Sequence, residues 1–398
     1  MSYELVKKQS WWQLLSIQSG GAMCLPVIMA GQIIYEKFGW NAALLGMGLG
    51  NLFLLGMGFF LASLSVERPQ STVEHAVYSF GSRGRALFSG LMILSVLGWF
   101  GIQLNVMSLG LEQLLGKGIP PLYLNLGMGI LLSGVMCLGM GAIKWLSNIC
   151  APLLGLTLLY AVSSATGSIP SAELMTLSWL GGVSLVIGTN IAAVIDLPTF
   201  FRHAKSTRDA RLCILVLYGL VVPCIEAAGI YLSAVTGSGS ILTVLQGNHN
   251  WLWMAWVSCF VLMSGWVTNN ANLYSALTSS YSLSSRGGAL GRTLFLGAIG
   301  ILVACFNPLG NIEVVLDMLG ITIGGLGAMI LSNYFLEKRG QPSRNPLLSW
   351  SVGVGVGFLS MILNWKGTGV AVFDAFIASF AMQIILKKKG SYETVNGK

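Results

Sequence analysis

Long apolar runs dominate this chain, and polar residues interrupt them at two kinds of place: short connections rich in Lys and Arg, and a few points inside the runs themselves. A membrane span takes about 20 apolar residues, and on that measure the pattern predicts twelve helices, roughly 12–33, 41–64, 86–113, 121–142, 145–165, 177–198, 211–235, 251–277, 292–307, 314–335, 346–364 and 367–386. The expected fold class is an all-α integral membrane protein, one polytopic transporter domain over residues 1–398.

The basic residues test this count independently, because cytoplasmic loops collect Lys and Arg. With Lys7 and Lys8 placed inside, 19 of the 22 basic residues fall on the same side, leaving Lys37, Lys117 and Lys366 outside. Both termini are therefore expected in the cytoplasm, and the protein in the plasma (inner) membrane. Composition agrees: 54% of residues are hydrophobic and 9% charged, with a mean hydropathy of +0.74, whereas soluble chains carry about 25% charged residues. A net charge of +8 would suit nucleic acid in a soluble protein. Here topology accounts for it, and no nucleic-acid partner is expected. The seven cysteines all fall in apolar segments without metal-type spacing and are expected free and buried. The histidines lie in or beside loops, where solvated surface is expected.

Three interruptions inside the runs carry candidate chemistry. The eighth span continues as Val267-Thr-Asn-Asn-Ala-Asn-Leu-Tyr274, and lipid satisfies no hydrogen bond. At helical spacing Ser264, Thr268 and Asn272 share one face, with Asn269 about 100° round the helix. A single such group often glues helices together; several in nine residues favour a site. The first span holds Ser19-Gly-Gly-Ala-Met-Cys-Leu-Pro26, where a proline after paired glycines predicts a break at mid-membrane or a tolerated kink. The sixth span offers a counterpart in Gly188-Thr-Asn190, followed by Asp196 and Pro198. Spans one and six would open two five-helix halves of opposite orientation, about 12–165 and about 177–335, with additional helices at about 346–386; paired broken helices in inverted halves point to a transporter site between them.

In the third span Trp99 and Gln103 stand four apart. An indole and an amide on one helix face suit a planar polar ring, or else plain helix packing. Glu226 and Asp317 lie deep, and Asp196 near a span end. Such acids are proton carriers, ion ligands or protonated structural groups; Asp196 and Glu226 are the candidates for proton coupling. An enzyme is not expected, since no intramembrane histidine or Ser/His/Asp grouping is present. A channel would show a pore-lining repeat. An amino-acid transporter of the same fold remains the nearest competitor.

Several segments together resemble the nucleobase:cation symporter family 1, and within it the cytosine permeases: Gly50-Asn51, Glu74-His-Ala-Val-Tyr-Ser-Phe-Gly81, Gly98-Trp-Phe-Gly101, Gly188 to Arg202, Trp266 to Tyr274, and Gly324 to Arg339. The resemblance implies a ten-helix inverted-repeat core with two additional helices, working by alternating access as a purine or pyrimidine permease. It implies a planar base stacked on Trp99 and hydrogen-bonded by Asn269, with sodium as the possible coupling ion and no other cofactor. The sodium ligands it implies are the carbonyls of Gly20 and Met23 and the oxygens of Ser264 and Thr268, hard donors that suit a hard cation. Cys24, Gln103, Asn190, Ala193, Ser264 and Asn272 complete the candidate substrate-binding set. The chain also departs from the pattern. Val96 replaces a glutamine, Gln103 is similar to the hydantoin-transporting branch, Asn190 replaces a sixth-helix aromatic, and Val267 stands where a hydroxyl helps hold sodium. Cytosine-like pyrimidine, purine or hydroxymethylpyrimidine, and sodium or proton, are therefore all open.

Overall fold

A computed structural model describes residues 8–116, 118–169, 179–237, 240–247, 250–284, 286–338, 345–363 and 367–386. His249 lies outside them. Among the described residues the chain is helical, apart from one isolated bridge between Gln9 and Ala204.

Helix α1 (Trp11–Ala22) stops at Met23 and Cys24, and α2 (Leu25–Glu67) starts afresh. Cys24 is extended, and Pro26 occupies the first turn of the new helix, where its missing N–H costs nothing. Gly39, at φ 76° and ψ 176°, then divides α2 into two arms; only glycine adopts that geometry cheaply. The first expected span thus falls on α1 and the first arm, the second on the other arm. Helix α3 (Thr72–Leu115) opens with a capping box, in which the backbone N–H of Ser71 donates to Glu74 Oε2 at 2.6 Å and Ser71 Oγ accepts from the Glu74 N–H at 3.3 Å.

Helices α4 (Pro121–Met136), α5 (Met140–Ser164) and α6 (Trp179–Ile195) follow. Helix α6 runs unbroken through Gly188-Thr-Asn190 and ends at Asp196, after which α7 (Leu197–Phe201) begins with Pro198 in its first turn. The seventh expected span is α8 (Thr207–Val216), a π turn at Leu217–Val221, and α9 (Val222–Thr236). The wide turn has a local cause: Pro223 lacks an N–H and crowds the turn before it. The remaining helices are α10 (Ile241–Leu245), α11 (Trp251–Leu283), α12 (Ala289–Cys305), α13 (Ile312–Lys338), α14 (Pro346–Leu363) and α15 (Ala371–Ile385).

Among the described residues, eight helical stretches are long and apolar enough to cross a membrane, and α4, α12 and α15 are shorter apolar helices. Helix α2 packs along α6 and α9, α3 along α11, and α13 and α14 along α15. Some contacts bring backbones together: a Cβ on Gly31 would overlap the Glu226 carbonyl, and one on Gly229 would overlap the Ile28 carbonyl.

Two expectations need correction. All seven cysteines are free, but only Cys24, Cys150 and Cys213 are buried; Cys224, Cys259 and Cys305 face outward. An apolar residue on a span need not face protein, because lipid covers the outer face equally well. His75 is buried and His203 half-buried rather than solvated. Burial, reinforced by the nearby Arg68, lowers His75 to a pKa of about 4. Burial and the neighbouring Arg202 do the same to His203.

Candidate functional site

The break between α1 and α2 faces a cavity of about 110 Å³ bounded by α1, α2, α3, α6, α7, the π turn and α11. Of the residues expected at a site, Cys24, Trp99, Asn190, Ala193, Asp196, Thr268 and Asn272 line it. Gly20, Met23, Gln103, Ser264, Asn269 and Glu226 do not.

Each lining side chain is held by the geometry of its helix. Asn190 Nδ2 donates to the Val186 carbonyl at 3.0 Å and to Glu226 Oε1 at 3.1 Å, which fixes its amide at the cavity wall. Asp196 closes α6, and its Oδ1 accepts from Thr199 Oγ1 at 2.7 Å. Thr268 Oγ1 donates to the Gly21 carbonyl at 2.8 Å and is 3.2 Å from the Ser264 carbonyl. A helix that stops leaves its last carbonyls without intrahelical donors. Here Ser19 O accepts from the Met23 N–H, Ala22 O from the Cys24 N–H, and Gly21 O from Thr268, so three of the last four are engaged. Gly20 packs on α11, where an added Cβ would sit 2.9 Å from Val267 Cγ1.

The asparagines of α11 divide three ways. Asn272 lines the cavity. Asn270, with its amide oriented to satisfy both neighbours, donates to the Leu132 carbonyl and accepts from Trp266 Nε1, each at 3.2 Å, and so joins α11 to α4. Asn269 has no exposed surface and neither amide atom has a partner. Gln103 is in the same condition, 0% exposed with Nε2 and Oε1 both unpartnered. It lies against α11, since a Cβ on Gly265 would come within 3.0 Å of its Nε2. Such atoms are rare in native interiors and mark a place where water or a ligand belongs.

Sequence reasoning missed two aromatic rings in the cavity wall, Phe200 and Tyr218. Phe200 lies one turn past the Asp196 break, where helical phase read from α6 no longer applies. Tyr218 is carried by the π turn, which shifts the face presented by that span. With Trp99 they give the cavity three aromatic side chains although Asn190 occupies the sixth-helix position.

No family model matches the chain. The cytosine permease of Escherichia coli (strain K12) is 25% identical over 340 residues, covering 80% of this chain and 79% of the relative. The hydantoin permease of Microbacterium maritypicum is 23% identical over 390 residues, covering 90% and 77%. Among solved structures, Mhp1, a nucleobase-cation-symport-1 family transporter in a closed conformation with bromovinylhydantoin bound, superposes with a TM-score of 0.79 at 20% identity, over 96% of this chain and 92% of that one. The chain is cytosine permease-like in sequence and shares the fold of that transporter. It is an integral membrane transporter and not an enzyme. The chain places its broken helix, Trp99 and the polar face of α11 around one cavity.

Proposed function

We propose that this permease imports a nucleobase or a related planar heterocycle by cation symport and alternating access. The observation that carries the reading is the cavity at the helix break, walled by the rings of Trp99, Phe200 and Tyr218 and by Asn190 and Asn272; outside its lining, Gln103 and Asn269 hold four amide atoms buried without partners on adjoining helices. Each amide pairs a donor with an acceptor, the edge pattern that a ring N–H beside a carbonyl, or a ring nitrogen beside an amine, would satisfy. Trp99, one turn before Gln103, supplies a flat face beside them. A relative that transports cytosine by name and another that transports hydantoins support the same class of ring.

The domain reading goes with it: a five-plus-five inverted-repeat core, about 12–165 and about 177–335, with additional helices at about 346–386 and both termini cytoplasmic. Candidate cation sites are the Gly20 and Met23 carbonyls with Ser264 and Thr268 for sodium, and Asp196 or Glu226 for a proton.

A thermal-shift screen of detergent-purified protein tests the substrate class, because a ligand that binds only the folded state raises its apparent stability. Cytosine, uracil, hydroxymethylpyrimidine, adenine, hypoxanthine, hydantoins and amino acids are compared. A heterocycle hit abolished by Asn269→Ala supports the pocket. Hits confined to amino acids reject it.

A further inference from the structure

Glu226 has no exposed surface at all. One carboxylate oxygen accepts from Asn51 Nδ2 at 2.5 Å, the other from Asn190 Nδ2 at 3.1 Å. Among the described residues no basic side chain forms an ion pair with it. Two amide donors offset only part of the cost of a buried negative charge, so a proton has reason to bind there.

The same three side chains accommodate both protonation states. Ionised, Glu226 accepts from both amides. Protonated, it needs an acceptor, and Asn51 Oδ1 is buried without a partner. Turned end for end, the Asn51 amide can receive the O–H of a protonated Glu226. That turn gives up the bond from Asn51 Nδ2 to the Met47 carbonyl, now 3.0 Å. Taking up a proton is thereby felt in α2.

Position ties this switch to the cavity. The Glu226 backbone abuts Gly31 on the first arm of α2, just beyond the helix break. Asn51 belongs to the second arm, and Asn190 lines the cavity itself. Of the elements packed on α9, α10 carries no titratable group, and neither does α6, which meets Glu226 through Asn190; Tyr218 of the π turn lies within electrostatic reach. On α2, Glu36 is occupied two turns away by Ser233 Oγ at 3.3 Å, and Lys144 and Tyr160 of α5 make no ion pair with Glu226.

We propose that Glu226 is the coupling-ion site of this permease, binding one proton from the outer side and releasing it to the inner side in each import cycle, with Asn190 relaying its state to the cavity. The proposal rests on the symport reading above and gives it a proton as the driving ion.

Two measurements separate the proposal from the substrate reading. The first is infrared difference titration of the purified protein from about pH 5 to about pH 9. The expected result is a protonated-carboxyl band that titrates, disappears in Glu226→Gln, and changes its midpoint in Asn51→Ser. Absence of such a band, or a band unaltered by both variants, overturns the proton site whatever the substrate. Should Glu226→Gln fail to fold, the Asn51→Ser midpoint decides. The second is uptake into proteoliposomes of cytosine, hydroxymethylpyrimidine and hydantoin, tested in turn. An inward proton gradient is expected to drive accumulation by the wild type, while Glu226→Gln only equilibrates the probe. Accumulation by both proteins under a sodium gradient alone overturns the coupling role. If no probe moves, the substrate reading fails and the infrared titration still decides Glu226.

Discussion

Thr268 Oγ1 donates to the Gly21 carbonyl at 2.8 Å, so that α11 holds the interrupted end of α1 across 247 residues of sequence. The hydroxyl is the sole means by which that side chain can do so, because its methyl group offers no donor.

Thr268→Val keeps the shape and removes the bond. A net hydrogen bond contributes about 1 kcal/mol, so a small fall in thermal stability is expected, together with a loss of uptake larger than that fall would explain. Thr268→Ser restores the donor and is expected to restore uptake. Equal uptake by Val and Ser variants would show that the tie between the helices is dispensable.

Gln103 and Asn269 give the opposite signature. Their amides are buried without partners, and replacing an unsatisfied polar group by an apolar one of similar shape is neutral or stabilising. Gln103→Met and Asn269→Leu are therefore expected to melt no lower than wild type without ligand, yet to lose the ligand-induced shift. Trp99→Ala is expected to weaken binding by roughly 10-fold or more, the equivalent of about 1.4 kcal/mol. A variant that destabilises the empty protein while preserving the shift would mean that these amides serve packing.

Much of this site was legible in the sequence because its signals are local. Paired glycines before Pro26 point to a break or a kink from local chemistry, and Thr268 and Asn272 share a face by helical spacing alone. What the asparagines do was not legible. Asn270 bonds to α4 and Asn269 to nothing, a distinction set by which neighbour each faces. Glu226 was visible as a deep acid, but its partners lie 175 and 36 residues away and no periodicity links them. Phe200 and Tyr218 escaped for a related reason: a break and a π turn reset the helical phase just before each. Hydropathy marked the apolar helical stretches, while the Gly39 kink, which folds α2 into two arms, needed backbone angles to see.

The buried imidazoles predict an acid limb of stability. His75 and His203 have folded-state pKa values of about 4 against an ordinary 6.5. Between those values the unfolded chain binds more protons than the folded one, so stability declines as pH falls from 6.5 toward 4 and levels off below. Melting temperature measured across this range should show the decline, and His75→Leu should make it shallower. A flat profile would mean that neither imidazole is buried as described.

The crossing of α2 and α9 is tight enough to be tested by single methyl groups. At Gly31 an added Cβ would overlap the Glu226 carbonyl, and at Gly229 that of Ile28, with backbone on both sides and no flexible side chain to yield. Overpacking of this kind costs about 1–3 kcal/mol. Gly31→Ala and Gly229→Ala are expected to lower thermal stability in detergent. Gly48, on the second arm of α2, has nothing within 4 Å of its Cβ position, and alanine there is expected to be neutral or to stabilise by up to about 1 kcal/mol. Because Glu226 is clamped at the same crossing, the Gly31 variant should also disturb the carboxyl titration while Gly48→Ala leaves it unchanged. Equal behaviour of the two alanines would show that the helices do not meet as closely as their backbones require.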